Sequence, residues 1–236
     1  MFTPDGPSFR ELTVQAMSSV EHGYDLLAPK FDATPFRTST RLLTATTQAL
    51  RPLGPFTTGL DVCCGTGAGL EVLESLCTER VAGVDFSTGM LSAAREAHPE
   101  ATLIRADALS LPFAPSFDLA ISLGAFGHFL PEDRPRIFTQ IHASLRPGGL
   151  LAFPQPAPPR VGSRAYWTLW AFDAVMRVRN ALWRPSFVMY YRTWPLADVL
   201  HDLQDAGFEV TLHPMESLGR REDGSPACRL VAARRT

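Results

Sequence analysis

Apolar positions along the chain switch between two periods. Short apolar runs near 58–63, 80–85, 101–104, 117–122 and 149–153 read as buried strands. Between them, apolar residues recur at helical spacing, which predicts helices near 67–78, 88–97 and 133–146. Upstream, residues 8–50 read as helical. Leu42, Leu43, Ala45, Thr46, Ala49 and Leu50 fit one face, and Arg51-Pro52 stops that helix. Strand–helix alternation of this kind implies a parallel sheet covered by helices on both faces. Pro147-Gly148-Gly149 is the turn expected to launch the fifth strand. A further amphipathic helix is expected over 195–206, capped by Gly207, followed by two strands near 208–213 and 227–233 that are close enough to pair antiparallel.

One stretch breaks the pattern. Pro154, Pro156, Pro158 and Pro159 mark 154–162 as a loop or extended linker. The following helix carries apolar residues around most of its circumference, from Tyr166 and Trp167 through Trp170, Val175 and Met176 to Leu182 and Trp183. Such a helix is expected to be buried or to lie against something apolar. Residues 160–192 also hold six arginines against one acid, Asp173.

The chemistry concentrates at 59–69, Gly-Leu-Asp-Val-Cys-Cys-Gly-Thr-Gly-Ala-Gly, and at Asp85, which closes the next apolar run. A strand, a glycine turn, a helix and an acid-tipped strand make a nucleotide-binding half-fold, in which the second acid accepts from ribose hydroxyls. The strict dinucleotide fingerprint fails, because its third glycine falls on Leu70. An acid inside the first strand, Asp61, suits a cofactor bearing an ammonium group better than a pyrophosphate.

At this point the chain resembles the class I S-adenosylmethionine-dependent methyltransferases of small-molecule type. Asp61-Val-Cys63-Cys-Gly65-Thr-Gly67 matches their acid-x-G-x-G-x-G motif, with Cys63 at the first glycine, a form similar to that of quinone-biosynthesis C-methyltransferases. The resemblance implies an α/β, doubly wound, seven-stranded, mostly parallel sheet (a Rossmann-like methyltransferase fold) with an antiparallel last strand. It implies one domain over 1–236, with a helical flap at 1–50, a cofactor-binding core at 51–153, an insertion or lid at 154–194 and a C-terminal helix and strand pair at 195–236.

The same resemblance assigns residues. Tyr24 belongs to a Tyr-Asp-x-x-Ala-x-x-Phe-Asp stretch that covers the cofactor. Asp61 would lie near the methionine ammonium, with Cys63 at the turn and the Gly65 and Gly67 backbones beside the methionine part. Asp85 would hold the ribose hydroxyls, and Phe86 and Met90 would contact the adenine. Asp107 would accept from the adenine amino group, with the Ala108 N–H donating to the ring. Leu123 would line the cleft after the fourth strand.

That strand ends in Ser122-Leu-Gly124-Ala-Phe126-Gly-His128-Phe129, and ligands bind outside the carboxyl ends of such strands. His128 is therefore the candidate catalytic base; the competing reading is a histidine that caps the helix at Pro131-Glu132-Asp133. Absences narrow the acceptor. The Pro-Pro motif of amino-methylating nucleic-acid enzymes is missing, and so is a nucleophilic cysteine near the fourth strand. The expected function is methyl transfer from S-adenosylmethionine to a small hydrophobic molecule. A tRNA or protein acceptor, or a non-catalytic cofactor-binding regulator, are the alternatives.

Composition adds limits. The 236 residues, 45% hydrophobic with net charge −2, supply an ample core and argue against a protein that coats DNA or RNA. Cys63, Cys64, Cys77 and Cys228 lack metal-ligand spacing and read as reduced, buried thiols, so no metal is expected. Adjacent Cys63 and Cys64, read as strand residues, would point to opposite faces. No apolar run reaches the roughly 20 residues of a membrane span, and 1–20 do not resemble a signal peptide. A cytoplasmic monomer or homodimer is expected, with membrane-surface contact open through 160–192.

Overall fold

The computed structural model describes residues 6–34, 36–190 and 194–236. Its sheet has seven strands in the order β3-β2-β1-β4-β5-β7-β6. They are β1 (Phe56–Val62), β2 (Cys77–Asp85), β3 (Thr102–Arg105), β4 (Phe117–Ile121), β5 (Leu145–Pro156), β6 (Phe208–Pro214) and β7 (Cys228–Arg235). The first five run parallel, and β7 is antiparallel to both β5 and β6. The order reverses between β1 and β4, the switch point where α/β sheets open a crevice.

Strand residues alternate between two cores, as period-two geometry requires. Leu60, Val62, Leu151, Phe153 and Val231 face one side, together with Ile137, Phe138 and Ile141 of α6 (Arg134–Ser144) and Val199 and Leu203 of α8 (Leu196–Asp205). Leu119, Ile121, Leu150 and Leu230 face the other. There they meet Leu43 and Leu50 of α3 (Thr40–Leu50) and Leu70 and Leu73 of α4 (Ala68–Glu74).

Three boundaries differ from the sequence reading. The helix expected over 67–78 is α4 and stops at Glu74, because Cys77 pairs with Phe56 and extends β2 backwards. Strand β5 begins at Leu145 rather than 149. Phe117 pairs with Leu145 and Leu119 with Leu150, so Pro147-Gly148-Gly149 bulges out of a continuing strand. At the far end β5 runs through Pro154 and Pro156, pairing with Leu230 and Cys228 of β7, which corrects the start of the loop or linker expected over 154–162. Its last partner on β4 is Ala152, so the missing proline N–H groups fall where one side of the strand is already unpaired.

The N-terminal region is helical in pieces: α1 (Phe9–Met17), α2 (Val20–Leu27), a 3-10 turn over Ala28–Ala33, and α3. Helix α5 (Thr88–Ala97) follows β2, and α7 (Arg164–Leu182) is the insertion helix. Ser8, Ser19, Ser39, Ser87 and Ser163 cap α1, α2, α3, α5 and α7, each accepting from a backbone N–H of the first turn. Helix α7 is not packed on the sheet. Trp167, Trp170 and Trp183 are exposed, so the helix is not buried as one of the two expectations had it. Its inner side is held instead by Phe187, Met189 and Val20 through Met176 and Phe172. Arg192, one of the six arginines, lies outside the described residues.

Candidate active site

A cleft opens at the carboxyl ends of β1, β2 and β4 and encloses about 800 Å³, counting its open mouth. Tyr24, Asp61, Cys63, Gly65, Asp85, Phe86, Met90, Leu123 and His128 all line it, as the motif spacing predicts. Gly67, Asp107 and Ala108 do not. Gly67 sits behind the turn, and Asp107 is an exposed loop acid that accepts from the Leu109 N–H at 2.9 Å.

The turn after β1 explains two of the motif residues. Cys63 has φ 61, the left-handed region that favours glycine, so the glycine of the general pattern is replaced by a residue carrying a strained backbone. Cys63 is thus in the turn rather than on the strand, and both it and Cys64 border the cleft, which corrects the opposite-faces expectation. Burial, followed by the nearby Asp85 and Asp61, pushes the Cys63 thiol well up; burial also raises Cys64. Both stay protonated and are poor nucleophiles at neutral pH.

Two buried acids lie at the floor. The Asp61 carboxyl is pushed up to about 8, by burial first and the charge of Asp85 second. It lies over the start of α4. A Cβ on Gly69 would fall 2.3 Å from Asp61 Oδ2, so only glycine leaves room for the carboxyl. Gly69→Ala is therefore expected to cost about 1–3 kcal/mol of stability, read by denaturant unfolding. Asp85 is fixed by two backbone donors, Gly65 N–H on Oδ2 and Ser87 N–H on Oδ1, each at 2.9 Å. Burial raises its pKa, and those two N–H groups oppose the rise.

The flap is latched by contacts that link residues distant in sequence. Asp25 accepts from the Ser87 hydroxyl at 2.6 Å and the Gly89 N–H at 2.9 Å, and Asp32 accepts from the Thr66 hydroxyl at 2.7 Å. Arg105, the last residue of β3, donates from Nε to the Phe86 carbonyl at 3.0 Å and pairs with Glu21 of α2. His98, just after α5, backs the turn although no motif contains it. It is buried, bonds Glu74 at 2.9 Å, and lies so close that a Cβ on Gly67 would meet its ring at 2.5 Å.

His128 closes the short 3-10 turn Ala125–His128 beyond β4. The capping role is corrected. The acid that bonds back at the next turn is Asp133, accepting from the Leu130 N–H, whereas the His128 ring points elsewhere. Its Nδ1 donates to the Val188 carbonyl at 2.9 Å. A carbonyl can only accept, so the proton is on Nδ1 and the Nε2 lone pair faces the Tyr24 hydroxyl at 2.8 Å. Burial lowers the ring's pKa and keeps it neutral, partly offset by the Val188 bond.

A doubly wound sheet with a cleft at its switch point, floored by two buried acids, defines a nucleotide-binding fold. Comparison with known proteins agrees. The methyltransferase-domain family matches residues 60–149. The 2-phytyl-1,4-naphtoquinone methyltransferase of Nostoc punctiforme is 34% identical, over 53% of this chain and 58% of the relative, so the chain spans under two thirds of that protein. The demethylmenaquinone methyltransferase of Listeria welshimeri is 32% identical, over 68% of this chain and 73% of the relative. Among solved structures, an S-adenosylmethionine-dependent methyltransferase from Mesorhizobium loti is 26% identical with a TM-score of 0.57, covering 84% of this chain and 99% of that one. The chain belongs to the class I S-adenosylmethionine-dependent methyltransferases, and S-adenosylmethionine is its cofactor.

Proposed function

We propose that the cleft binds S-adenosylmethionine with its ammonium at Asp61, its ribose hydroxyls at Asp85 and its adenine against Phe86 and Met90, and that the acceptor is a small hydrophobic quinone in its reduced form. The observation that carries the cofactor half is the pair of buried acids along one wall. A buried carboxyl whose pKa is raised to about 8 suits a cation, and Asp85 keeps lone pairs beyond those used by Gly65 and Ser87. The roles of Asp107 and Ala108 at the adenine edge rest on the resemblance alone. The acceptor half rests on the two relatives named above, both of which act on quinones by name, and on the apolar lining from Phe31, Phe36 and Phe129.

The cofactor supplies a methyl group already activated on a sulfonium. What this chain adds is position and a proton acceptor. A reduced quinone loses a hydroxyl proton to make a ring carbon or oxygen nucleophilic. The Tyr24 hydroxyl takes that proton as it passes its own to the Nε2 of neutral His128, so the acceptor loses one proton and the imidazole gains one. Val188 holds the ring in the required tautomer and stabilises the imidazolium that forms. The latched flap and the apolar walls exclude water from the reacting atoms.

Asp61 gives a pH prediction. Its folded-state pKa of about 8 lies above the usual carboxylate value, so the folded state binds the extra proton between roughly pH 4 and 8. Stability contributed by this group is full below the unfolded-state value and falls as pH rises through that window. Binding of a cation at neutral pH should expel the proton. Calorimetry of S-adenosylmethionine binding at pH 7 in buffers of different ionisation enthalpy is expected to show release of about one proton per site, absent in Asp61→Asn. Equal proton release by the variant contradicts the ammonium assignment.

Competition decides the acceptor class. With methyl-labelled cofactor and reduced prenylated naphthoquinone, bulk tRNA and a protein mixture in one tube, the label is expected in the solvent-extractable fraction. Label in RNA or protein would replace this reading. An acceptor with a long prenyl chain resides in bilayers, so the protein has to meet a lipid surface to reach it.

A further inference from the structure

Helix α7 is apolar on both sides. Its inner face, Phe172 and Met176, packs on Phe187 and Met189. Its outer face, Trp167, Val175, Val178 and Leu182, recurs over four turns and is uncovered, with Leu182 81%, Val175 64% and Val178 59% exposed. Trp170 and Trp183 flank it, also exposed. Among the described residues, every large exposed apolar side chain except Leu212 belongs to α1, α2 or residues 161–183. A soluble surface rarely gathers its apolar side chains in this way.

Charge says what covers that face. The described part of the segment, 160–190, carries Arg160, Arg164, Arg177, Arg179 and Arg184 against one acid, in a chain whose net charge is −2. That acid, Asp173, is buried. Arg164 and Arg177 face no carboxylate among the described residues; Arg177 lies over the Tyr190 ring at 4.5 Å. A second copy of the chain docking face to face would set these arginines against their own kind. An anionic bilayer presents the opposite sign, with an interface that takes tryptophan rings and aliphatic side chains together.

We infer that α7 docks in the plane of an anionic lipid surface, its Trp167–Leu182 face in the acyl boundary and Arg164, Arg177 and Arg184 among the headgroups; Arg160 is paired with Glu222 and Arg179 is turned inward onto the Ser18 and Pro185 carbonyls. The anchor is mechanically joined to the site. Asn180 accepts from the Phe187 N–H at 2.8 Å and donates to the Phe187 carbonyl at 3.0 Å, and the next residue, Val188, holds the His128 ring. A bilayer that holds α7 thus holds the cleft at the surface where a prenylated acceptor resides. That purpose rests on the acceptor proposed above; the docking itself does not.

The test uses vesicles that contain neither quinone nor cofactor, so its failure is separate from failure of the acceptor reading. The full chain is floated with phosphatidylcholine vesicles and with vesicles that also contain phosphatidylglycerol. Binding is expected to the anionic vesicles, weakening by roughly tenfold or more in high salt. Val178→Asp, an exposed position that the fold does not need, is expected to lower that binding by roughly tenfold or more while leaving thermal stability and cofactor affinity unchanged. Arg164→Glu is expected to weaken binding to the anionic vesicles. No binding, equal binding to neutral vesicles, or a dimer in sedimentation equilibrium that Val178→Asp dissociates would each overturn the inference.

Discussion

His128→Ala is expected to lower kcat by roughly 10²–10⁴ while S-adenosylhomocysteine binds as before. The prediction follows from geometry. The ring borders the cleft, its Nδ1–H is fixed on Val188, and its Nε2 lone pair accepts from the Tyr24 hydroxyl. Burial holds the ring below the usual histidine pKa, so the base form is already present at neutral pH. The rate carried by His128 should therefore fall only on the acid side, with its midpoint below the ordinary histidine range. Tyr24→Phe keeps the ring and removes the hydroxyl; it should lower kcat less than His128→Ala and leave cofactor affinity within a few-fold. Rapid-quench measurement of one turnover, with thermal melting alongside, checks all of this. A small rate change together with a large loss of melting temperature would make His128 a structural tie between the flap and the insertion.

Asp85→Ala has the second large effect. If the carboxylate accepts both ribose hydroxyls, the variant loses charge-assisted hydrogen bonds worth about 1.5–3 kcal/mol each. Calorimetry with S-adenosylhomocysteine should show affinity weakened at least about tenfold. Asp85 also holds Gly65 and Ser87, so part of the loss comes through the turn. Adenosine alone separates the two contributions. Its binding should weaken as strongly as that of the whole product, whereas methionine competition should change little. Unchanged affinity removes the ribose assignment.

The central sheet was legible because its strands are buried on both faces. Leu60 and Val62, then Leu150 to Phe153, give apolar runs too short for helices, and the glycine turn and Asp85 fix the strand ends where the cleft opens. Boundaries failed where one pattern satisfied two structures. Leu76 and Cys77 continue the helical spacing of α4, yet cross-strand pairing with Phe56 decides the outcome. Serine caps at Ser19, Ser39 and Ser87 carry a local signal for the helix starts that hydrophobic spacing alone does not give.

The site was legible where it is contiguous. Asp61 to Gly67 and Asp85 to Met90 lie in two short stretches, so a motif can carry them. The latches were not, because they join residues far apart in sequence. Asp25 reaches Ser87, Asp32 reaches Thr66, and Val188 reaches His128, and nothing at either partner announces the other. Asp32 stood inside the quoted flap motif, but its partner Thr66 did not declare itself. For α7 the sequence showed apolar residues all round without showing which were covered. That depends on tertiary packing, and Met176 turned inward while Val175 and Val178 turned out.

The account stands most directly on where the methyl group goes. The chain is supplied with cofactor labelled in its methyl group and one equivalent of a reduced prenylated naphthoquinone, and the organic extract is analysed by mass spectrometry. The account predicts a product heavier by one labelled methyl, formed with an equal amount of S-adenosylhomocysteine and strongly suppressed in His128→Ala. Tight cofactor binding with no label in the organic phase would contradict it.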